Sequence, residues 1–206
     1  IDVIHETDVL VVGSGPGGLS AAIAAARCGV KTTLLERFGC FGGNITVVGV
    51  EGFAWYRREK TVEAGGIGRE FEELAKEMGA AVPESQSLSY ELDSEGFKLV
   101  ADKLVIDSGI HPMLHRSFST PIMEGNTIVG VIVESKAGRE AILSKVVIDA
   151  TGDADVAFRA GAQISTMPVE EQMATSVMFH LAGVNKKAFL SEIQNNPQSY
   201  KDWSDS

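Results

Sequence analysis

The stretch DVLVVGSGPGG, residues 8–18, decides the fold class of this chain. Its apolar run, 9–12, is too short for a helix and ends at a glycine, which is typical of a buried parallel strand. An alanine-rich segment at 17–27 follows and predicts a helix. Apolar residues return at 30–36 and predict a second strand. Together these segments predict one β-turn-α-β unit, the building block of a parallel sheet.

The glycines of this stretch follow the pattern G-x-G-x-x-G, after a strand and at the start of a helix. Gly13 permits a tight turn, Gly15 lets the backbone approach a pyrophosphate, and Gly18 lets the helix pack closely on the sheet. A pyrophosphate there faces the free N–H groups of the helix N-terminus. Glu36 ends the second strand, where its carboxylate can accept both hydroxyls of a ribose and disfavours a 2′-phosphate. These features predict a dinucleotide site rather than a chance glycine turn.

The rest of the chain predicts further elements around this unit. Glycine-rich and aromatic residues at 38–66 show no clean period and predict an irregular segment. The patterns beyond it predict amphipathic helices at 67–78 and 94–108, a third strand at 111–118, short antiparallel strands at 128–133 and 141–143, an apolar strand at 146–148, a short helix that ends at Gly161, a strand at 175–181 and a polar, poorly ordered tail at 194–206.

These elements predict an α/β chain with two parts. Residues 1–163 form a Rossmann-like domain with a parallel sheet and an antiparallel β-meander insert. Residues 164–206 begin a second, substrate or capping domain with a polar tail. The length of 206 residues agrees with this division, because it exceeds one domain of about 150 residues by a fraction.

The composition excludes several classes of partner. Lys and Arg number 18 against 28 Asp and Glu, and the net charge of −10 leaves no electrostatic footprint for nucleic acid. The sequence has no basic helix for a membrane surface, and its longest apolar stretch, 21–26, is too short to span a bilayer. Two cysteines are too few for a disulfide framework and indicate a reducing compartment, so we expect a cytoplasmic location.

Three segments carry a resemblance to a known family: 8–37, the loop GCFGGN at 39–44, and VIDATGDADVA at 147–157. They are similar to the FAD-dependent oxidoreductases of the glutathione-reductase-like superfamily, and most to its succinate dehydrogenase and fumarate reductase branch. With the meander between them, they organise about residues 5–163. The resemblance implies a non-covalently bound FAD, preferred over NAD, and hydride or electron transfer through its flavin.

The resemblance also implies which residues contact the cofactor. In such proteins the second glycine pair lies along the flavin, and the turn after the last parallel strand passes near the pyrophosphate. The strand after the middle helix offers its backbone to the adenine. The implied cofactor-binding residues are Gly13, Ser14, Gly15, Pro16, Gly17, Gly18, Glu36, Arg37, Gly42, Gly43, Asn44, Ser117, Phe118, Ala150, Thr151, Gly152 and Asp153.

One segment that the resemblance implies does not follow Gly161. Flavoproteins of this kind normally end with another glycine-bearing segment, whose helix N-terminus points at the flavin pyrimidine. We therefore expect an additional subunit, or a region outside this chain, to complete the flavin site. The reaction partner is a small-molecule substrate or a redox protein, and the sequence assigns neither the substrate nor a catalytic residue. A nucleotide-binding or electron-relay subunit and an NAD-linked dehydrogenase are the alternative functions.

Isolated reactive side chains each allow two interpretations. Cys40 is either a thiol that contacts flavin or substrate or, as we favour, a small residue of a tight turn. His111 and His115 have the spacing of zinc ligands on a helix, but their strand-like setting favours structural or surface histidines. His180, at the end of a predicted strand, is either a substrate contact or, more simply, a surface residue. Asp153 is also a candidate cap for the helix that follows it.

Two charged clusters complete the candidates. Arg57 and Arg58 could clamp an anionic substrate, although solvated surface arginines are the simpler interpretation. Glu70, Glu72 and Glu73 lie in the first turn of a predicted helix. They predict a solvated face that the helix dipole favours.

Overall fold

A computed structural model describes residues 1–52, 65–84 and 89–199, and the backbone alone of 57–58 and 61–62. Its strands are β1 Val3–Val12, β2 Thr32–Leu35, β3 Arg57–Arg58, β4 Thr61–Val62, β5 Ala81–Pro83, β6 Tyr90–Leu92, β7 His111–Met113, β8 Ser117–Glu124, β9 Thr127–Ser135 and β10 Gly138–Asp149. Its α-helices are α1 Pro16–Arg27, α2 Ile67–Glu77, α3 Ser94–Asp107, α4 Asp155–Arg159 and α5 Lys186–Asn195. A π-helix, Asn44–Val48, follows β2 within the predicted irregular segment, which lies partly outside the described residues.

Six of these strands form one sheet in the order β7-β2-β1-β10-β9-β8. β7, β2, β1 and β10 run parallel to one another, and β9 and β8 are antiparallel. This sheet confirms the predicted α/β class with a parallel sheet and an antiparallel meander. β1 lies between β2 and β10, and Val12 is in register with both Leu35 and Asp149. The turns that follow β1, β2 and β10 therefore meet at one edge of the sheet.

The strands predicted at 141–143 and 146–148 are one strand, β10, so this prediction is wrong. The backbone of β10 stays paired with β1 from Ala141 to Asp149. Its first half also pairs with β9 on the other side. β10 therefore joins the meander to the parallel strands within one sheet, because the polar residues at 144–145 do not interrupt its pairing.

The strand predicted at 111–118 is two strands, so this prediction is also wrong. β7 pairs with β2, whereas β8 pairs with β9 at the other end of the sheet order. The chain changes direction at His115, whose φ of 55° is left-handed, and the His115 N–H donates to Phe38 O at 3.1 Å. A left-handed backbone is uncommon for residues other than glycine. Because a histidine takes this conformation here, the sequence has no glycine at this point that would predict the break.

Helices α1, α2 and α3 pack with the parallel strands around the main core. Leu19 of α1 has no exposed surface. Phe71 of α2 meets Phe97 of α3 edge to face, with ring centroids 6.2 Å apart. α2 and α3 agree with the helices predicted at 67–78 and 94–108, because the apolar spacing of both segments matches the buried face.

The prediction that Glu70, Glu72 and Glu73 form a solvated face of α2 is wrong for Glu72. Glu72 has no exposed surface and forms an ion pair with Lys76. Lys76 Nζ also lies 3.9 Å from the centre of the Tyr90 ring. Glu70 instead faces α1, where Arg27 donates to its two oxygens at 2.8 and 2.6 Å. The helix therefore turns Glu72 toward the protein and Glu70 toward a neighbouring helix.

Backbone contacts divide the chain into two units, Ile1–Ala174 and Thr175–Ser206. The second unit contains α5, which begins after Asn185, and the side chain of Asn185 accepts from Ala188 N at 3.1 Å. The strand predicted at 175–181 is wrong, because these residues form no regular element. Helix α5 was not predicted from the sequence.

The predicted domain boundary between residues 163 and 164 stays a prediction. Within the predicted polar tail, residues 194–199 include the end of α5 and a 3-10 turn, Pro197–Ser199. Residues 200–206 lie outside the described part of the chain. Among the helices of the described residues, none combines the length and the apolarity needed to cross a membrane.

Candidate functional site

The glycine turn, residues 13–18 between β1 and α1, excludes side chains at two of its glycines. Gly13 has a φ of 97°, and its N–H donates to Leu35 O at 2.8 Å. A β-carbon at Gly13 would lie 2.3 Å from Ala150 O, and one at Gly18 would lie 1.9 Å from Gly13 O. The close packing of α1 and β10 against the end of β1 therefore requires both glycines.

Gly15 has the opposite surroundings. Its φ of −60° suits any residue, and a β-carbon there would meet no atom within 4 Å among the described residues. Gly15 directly precedes α1, a helix of twelve residues that begins at Pro16. The N–H groups at a helix N-terminus carry partial positive charge and bind anions. The fold therefore leaves open space where the backbone can approach a phosphate.

The second glycine loop, residues 39–44, packs directly against the glycine turn. Gly42 N donates to Ser14 O at 2.9 Å. Gly42 and Gly43 are both left-handed, with φ values of 113° and 55°. A β-carbon at Gly43 would lie 2.7 Å from Gly15 Cα. This close approach places Asn44, the first residue of the π-helix, at the edge of the same space.

Glu36, which directly follows β2, is bound by the glycine turn itself. Ser14 donates to Glu36 Oε2 from its backbone N at 3.0 Å and from its hydroxyl at 2.5 Å. Phe38 N donates to Glu36 Oε1 at 2.9 Å. Ser14 is fully buried, and Glu36 has 6% of its surface exposed. Sequence reasoning expected a carboxylate open to two ribose hydroxyls and missed Ser14 as its partner.

Asp149, at the end of β10, is bound by the turn that follows it. Its Oδ1 accepts from the Thr151 N–H at 3.1 Å and from the Thr151 hydroxyl at 2.7 Å. Its Oδ2 accepts from Ala157 N at 2.9 Å. Burial alone raises the pKa of the Asp149 carboxyl, but the bonds from Ala157 and Thr151 outweigh burial and hold this pKa below its ordinary value. Asp149 is therefore a charged anchor for its own turn.

The turn that follows β10 also caps α4, but through other residues than the predicted Asp153. The Thr151 hydroxyl accepts from Asp155 N at 2.9 Å, while Asp149 takes the N–H of Ala157. Asp153 is exposed, and its interpretation as the cap is wrong, because Thr151 and Asp149 bind these amides instead. An aspartate two residues before a threonine is the local signal that sequence reasoning missed.

The three turns surround a cleft of about 970 Å³ at the carboxyl ends of β1, β2 and β10. This volume is near the upper end of the range for ligand pockets, about 300–1,000 Å³. The implied cofactor-binding residues line the cleft, with the exceptions of Gly42 and Asp153. Ser117 and Phe118 reach it from the start of β8, and not from the parallel strand after α3 as the resemblance implied.

Three arginines also line this cleft. The Arg37 guanidinium carbon lies 4.7 Å from the centre of the Phe38 ring. Arg116 Nε donates to Glu140 Oε2 at 3.2 Å, and Arg159 donates to a backbone carbonyl of β8 at 2.8 Å. Sequence reasoning missed Arg116 and Arg159, because the fold alone brings their separate elements to one cleft. The guanidinium groups can contact an anionic ligand, although the carboxylates of Glu36, Asp149 and Asp155 line the same cleft.

The isolated cysteine and histidines have local partners. Cys40 Sγ lies 3.9 Å from the Thr46 hydroxyl, within the loop that leads into the π-helix. His111 lies on β7 and stacks on His5, with ring centroids 4.4 Å apart. His115 lies in the loop after β7, so the helical spacing of zinc ligands does not apply to this pair.

None of the remaining candidates is among the described residues that line the cleft. His180 is exposed in an irregular part of the second unit. The side chains of Arg57 and Arg58 lie outside the described residues. Within the described ranges, His, Cys, Asp and Glu form no group of three that could hold a metal ion.

A parallel sheet that brings a glycine turn, a helix N-terminus and a carboxylate to one edge defines a Rossmann-like nucleotide-binding protein. Within that class, this chain belongs to the FAD dependent oxidoreductase family, whose sequence pattern matches residues 8–205.

One curated relative is similar to this chain in sequence, and two solved structures share its fold. The thiamine thiazole synthase of Metallosphaera sedula is 31% identical over 173 residues, which are 79% of this chain and 60% of that protein. The chain thus spans less than two thirds of the length of this relative. A geranylgeranyl bacteriochlorophyll reductase-like protein from Thermoplasma acidophilum shares the fold, with a TM-score of 0.56, 21% identity and coverage of 77% of this chain and 43% of that one. THI4 of Thermovibrio ammonificans also shares the fold, with a TM-score of 0.54 and 21% identity, and the match covers 75% of this chain and 61% of that one.

Family membership confirms FAD as the predicted cofactor, and it places the chain in a family of oxidoreductases, as predicted. The residues of the cleft fit such a group, since Gly15 leaves space for a pyrophosphate at the N-terminus of α1.

Proposed function

We propose that this chain binds FAD non-covalently in the cleft at the carboxyl ends of β1, β2 and β10, as the cofactor-binding part of an oxidoreductase. FAD supplies hydride and electron transfer through its flavin. The observation that carries the proposal is the open space at Gly15, in contrast to the closed packing at Gly13 and Gly18. Two of the three glycines serve the fold, and the third serves a ligand.

Each wall of the cleft has a separate task in this proposal. The N-terminus of α1 binds the pyrophosphate, and the turn at 150–152 closes on it from β10. Glu36 accepts from the adenosine ribose. Ser117 and Phe118 lie beside the adenine, and the second glycine loop lies along the flavin.

A pair of glycine substitutions tests the proposal. Gly15→Val fills the open space with a branched side chain, so we expect FAD binding to be lost while the melting temperature of the cofactor-free protein stays unchanged. Gly68→Val, on α2, is the matched control, because a β-carbon at Gly68 also meets no atom within 4 Å among the described residues. We expect this control to bind FAD like the wild type. Wild-type affinity of Gly15→Val for FAD would refute the proposal.

The partner of the reaction is part of the same proposal. We infer that a small-molecule substrate or a redox protein reaches the flavin, and that a further subunit or chain region completes the site. The resemblance supports this, because it implies a final glycine-bearing segment after Gly161. Mass spectrometry of the intact gene product, with its bound small molecule, tests both points.

Finer assignments rest on sequence similarity. Membership of the succinate dehydrogenase and fumarate reductase branch is supported by the loop at 39–44, and oxidation of the reduced flavin by fumarate tests it.

Thiamine thiazole synthesis is the second candidate function, favoured by the 31% identity to the Metallosphaera sedula enzyme. A thiazole released from the purified protein would favour it.

A cytoplasmic location is supported by the free thiols of Cys28 and Cys40, and cell fractionation tests it.

A further inference from the structure

The carboxylate of Glu36 has few acceptor sites left for a ligand. Within the described part of the chain, Oε2 accepts two hydrogen bonds, both from Ser14, and Oε1 accepts one, from Phe38 N. A carboxylate offers about four acceptor sites, two on each oxygen. Oε2 is therefore filled, and Oε1 keeps one site.

Contacts on both sides hold this arrangement in place. Ser14 is fully buried, so its hydroxyl cannot turn to water, and its carbonyl accepts from Gly42 N at 2.9 Å. Glu36 N donates to Met113 O at 2.8 Å, and Glu36 O accepts from Arg116 N at 3.0 Å. Hydrogen bonds from buried donors to an ionised carboxylate are stronger than bonds between neutral groups. Freeing Oε2 would therefore break strong bonds that have no replacement.

We propose that Ser14 is a positioning residue, which fixes Glu36 so that its carboxylate accepts one hydroxyl of the adenosine ribose and not two. This inference rests on the proposed FAD site and deepens it. An acidic residue at the end of the second strand is a general feature of such sites. The bonds from Ser14 to Oε2 make the site depend on one of the two vicinal hydroxyls.

Two FAD analogues test this dependence on the cofactor-free full chain. One analogue lacks the 2′-hydroxyl of the adenosine ribose, and the other lacks the 3′-hydroxyl. We expect the wild type to bind one analogue about tenfold more weakly than FAD, and the other within about twofold of FAD. Ser14→Ala frees an acceptor site on Oε2 of Glu36. We therefore expect this variant to bind both analogues at least about threefold more weakly than FAD.

Ser144→Ala is the matched control. The Ser144 hydroxyl is buried on β10 and has no hydrogen-bond partner among the described residues, so its removal should keep the wild-type preference. Equal dependence of the wild type on both hydroxyls, or an unchanged preference in a folded Ser14→Ala, would overturn the inference. The wild-type measurement decides the matter if Ser14→Ala does not fold. Failure of the wild type to bind FAD itself would instead overturn the proposed function.

Discussion

The turns that follow β2 and β10 are built around similar carboxylates whose partners differ. Glu36 and Asp149 both lie beside the end of β1, and each accepts an N–H and a hydroxyl bond from one residue, Ser14 or Thr151. Ser14 lies 22 positions from Glu36 in the sequence. The donors to Asp149 lie within eight positions of it.

This difference separates a carboxylate that serves a ligand from one that serves the fold. The bonds to Asp149 come from Thr151 and Ala157, in its own turn and the helix that follows. The bonds from Ser14 to Glu36 join the ends of two strands, and with the local bond from Phe38 N they leave one acceptor site for the cleft. We expect changes at Asp149 to affect stability alone, and changes at Glu36 to affect stability and cofactor affinity together.

The largest effect is expected at Gly18, which packs closely on Gly13 and lies beside Ala150 in the turn after β10. A β-carbon there would lie 1.9 Å from Gly13 O, so Gly18→Ala must push α1 away from β1. We expect a loss of at least about 3 kcal/mol in the free energy of unfolding, measured in urea. Gly17→Ala is the control, because its β-carbon meets no atom within 4 Å among the described residues. Equal stability of the two variants would contradict the close packing of the glycine turn.

Glu36→Ala should produce the next largest effect. It leaves the donors of Ser14 and Phe38 without a partner, so we expect a loss of about 2 kcal/mol in the free energy of unfolding. FAD affinity should fall at least about tenfold, because the ribose loses its acceptor. Glu36→Gln keeps one acceptor oxygen. Its free energy of unfolding and its FAD affinity should therefore lie between those of the wild type and those of Glu36→Ala. A loss of stability with unchanged FAD affinity would show that the Glu36 carboxylate is purely structural, like the Asp149 carboxylate.

The sequence predicts the glycine turn better than it predicts the two carboxylate turns. The left-handed φ of Gly13 and the close approach of Gly18 to Gly13 are local geometry, which a short motif encodes. The bond between Ser14 and Glu36 depends on how β1 and β2 align and on the rotamer of a glutamate, and no spacing rule contains either. The bond between Asp149 and Thr151 is local, and the aspartate-x-threonine spacing could have identified it.

The same distinction explains the errors in the fold. Helices α2 and α3 were predicted because their apolar periodicity is strong. The strand predicted at 111–118 failed because the chain turns at a left-handed histidine, where the sequence shows no glycine. The apolar residues at 175–181 favour a strand by propensity alone, and in the structure they have no strand to pair with among the described residues.

The acid dependence of stability should test the structural role of Asp149. The pKa of Asp149 lies below its ordinary value of 3.8 in the folded protein, so the ionised carboxylate stabilises the fold above that value. This contribution is lost as the pH falls through the lowered pKa. We expect Asp149→Asn to be about 1 kcal/mol less stable than the wild type at pH 7 and to lose less stability on acidification. Parallel curves of stability against pH for the two proteins would contradict this role. The FAD affinity of Asp149→Asn at pH 7 should stay within about twofold of the wild-type value.

The smallest effect is expected from Thr151→Val, which keeps the shape of the side chain and removes its hydroxyl. That hydroxyl donates to Asp149 and accepts from Asp155 N, which is exposed and can bind water instead. We therefore expect a loss of only about 0.5–1 kcal/mol in urea unfolding, with recovery in Thr151→Ser. Ser14→Ala removes the corresponding hydroxyl from a site without exposed surface, so it should cost more. If Thr151→Val proves the more damaging of the two, burial of the donor does not distinguish the turns, and the contrast between a ligand-directed and a structural carboxylate fails.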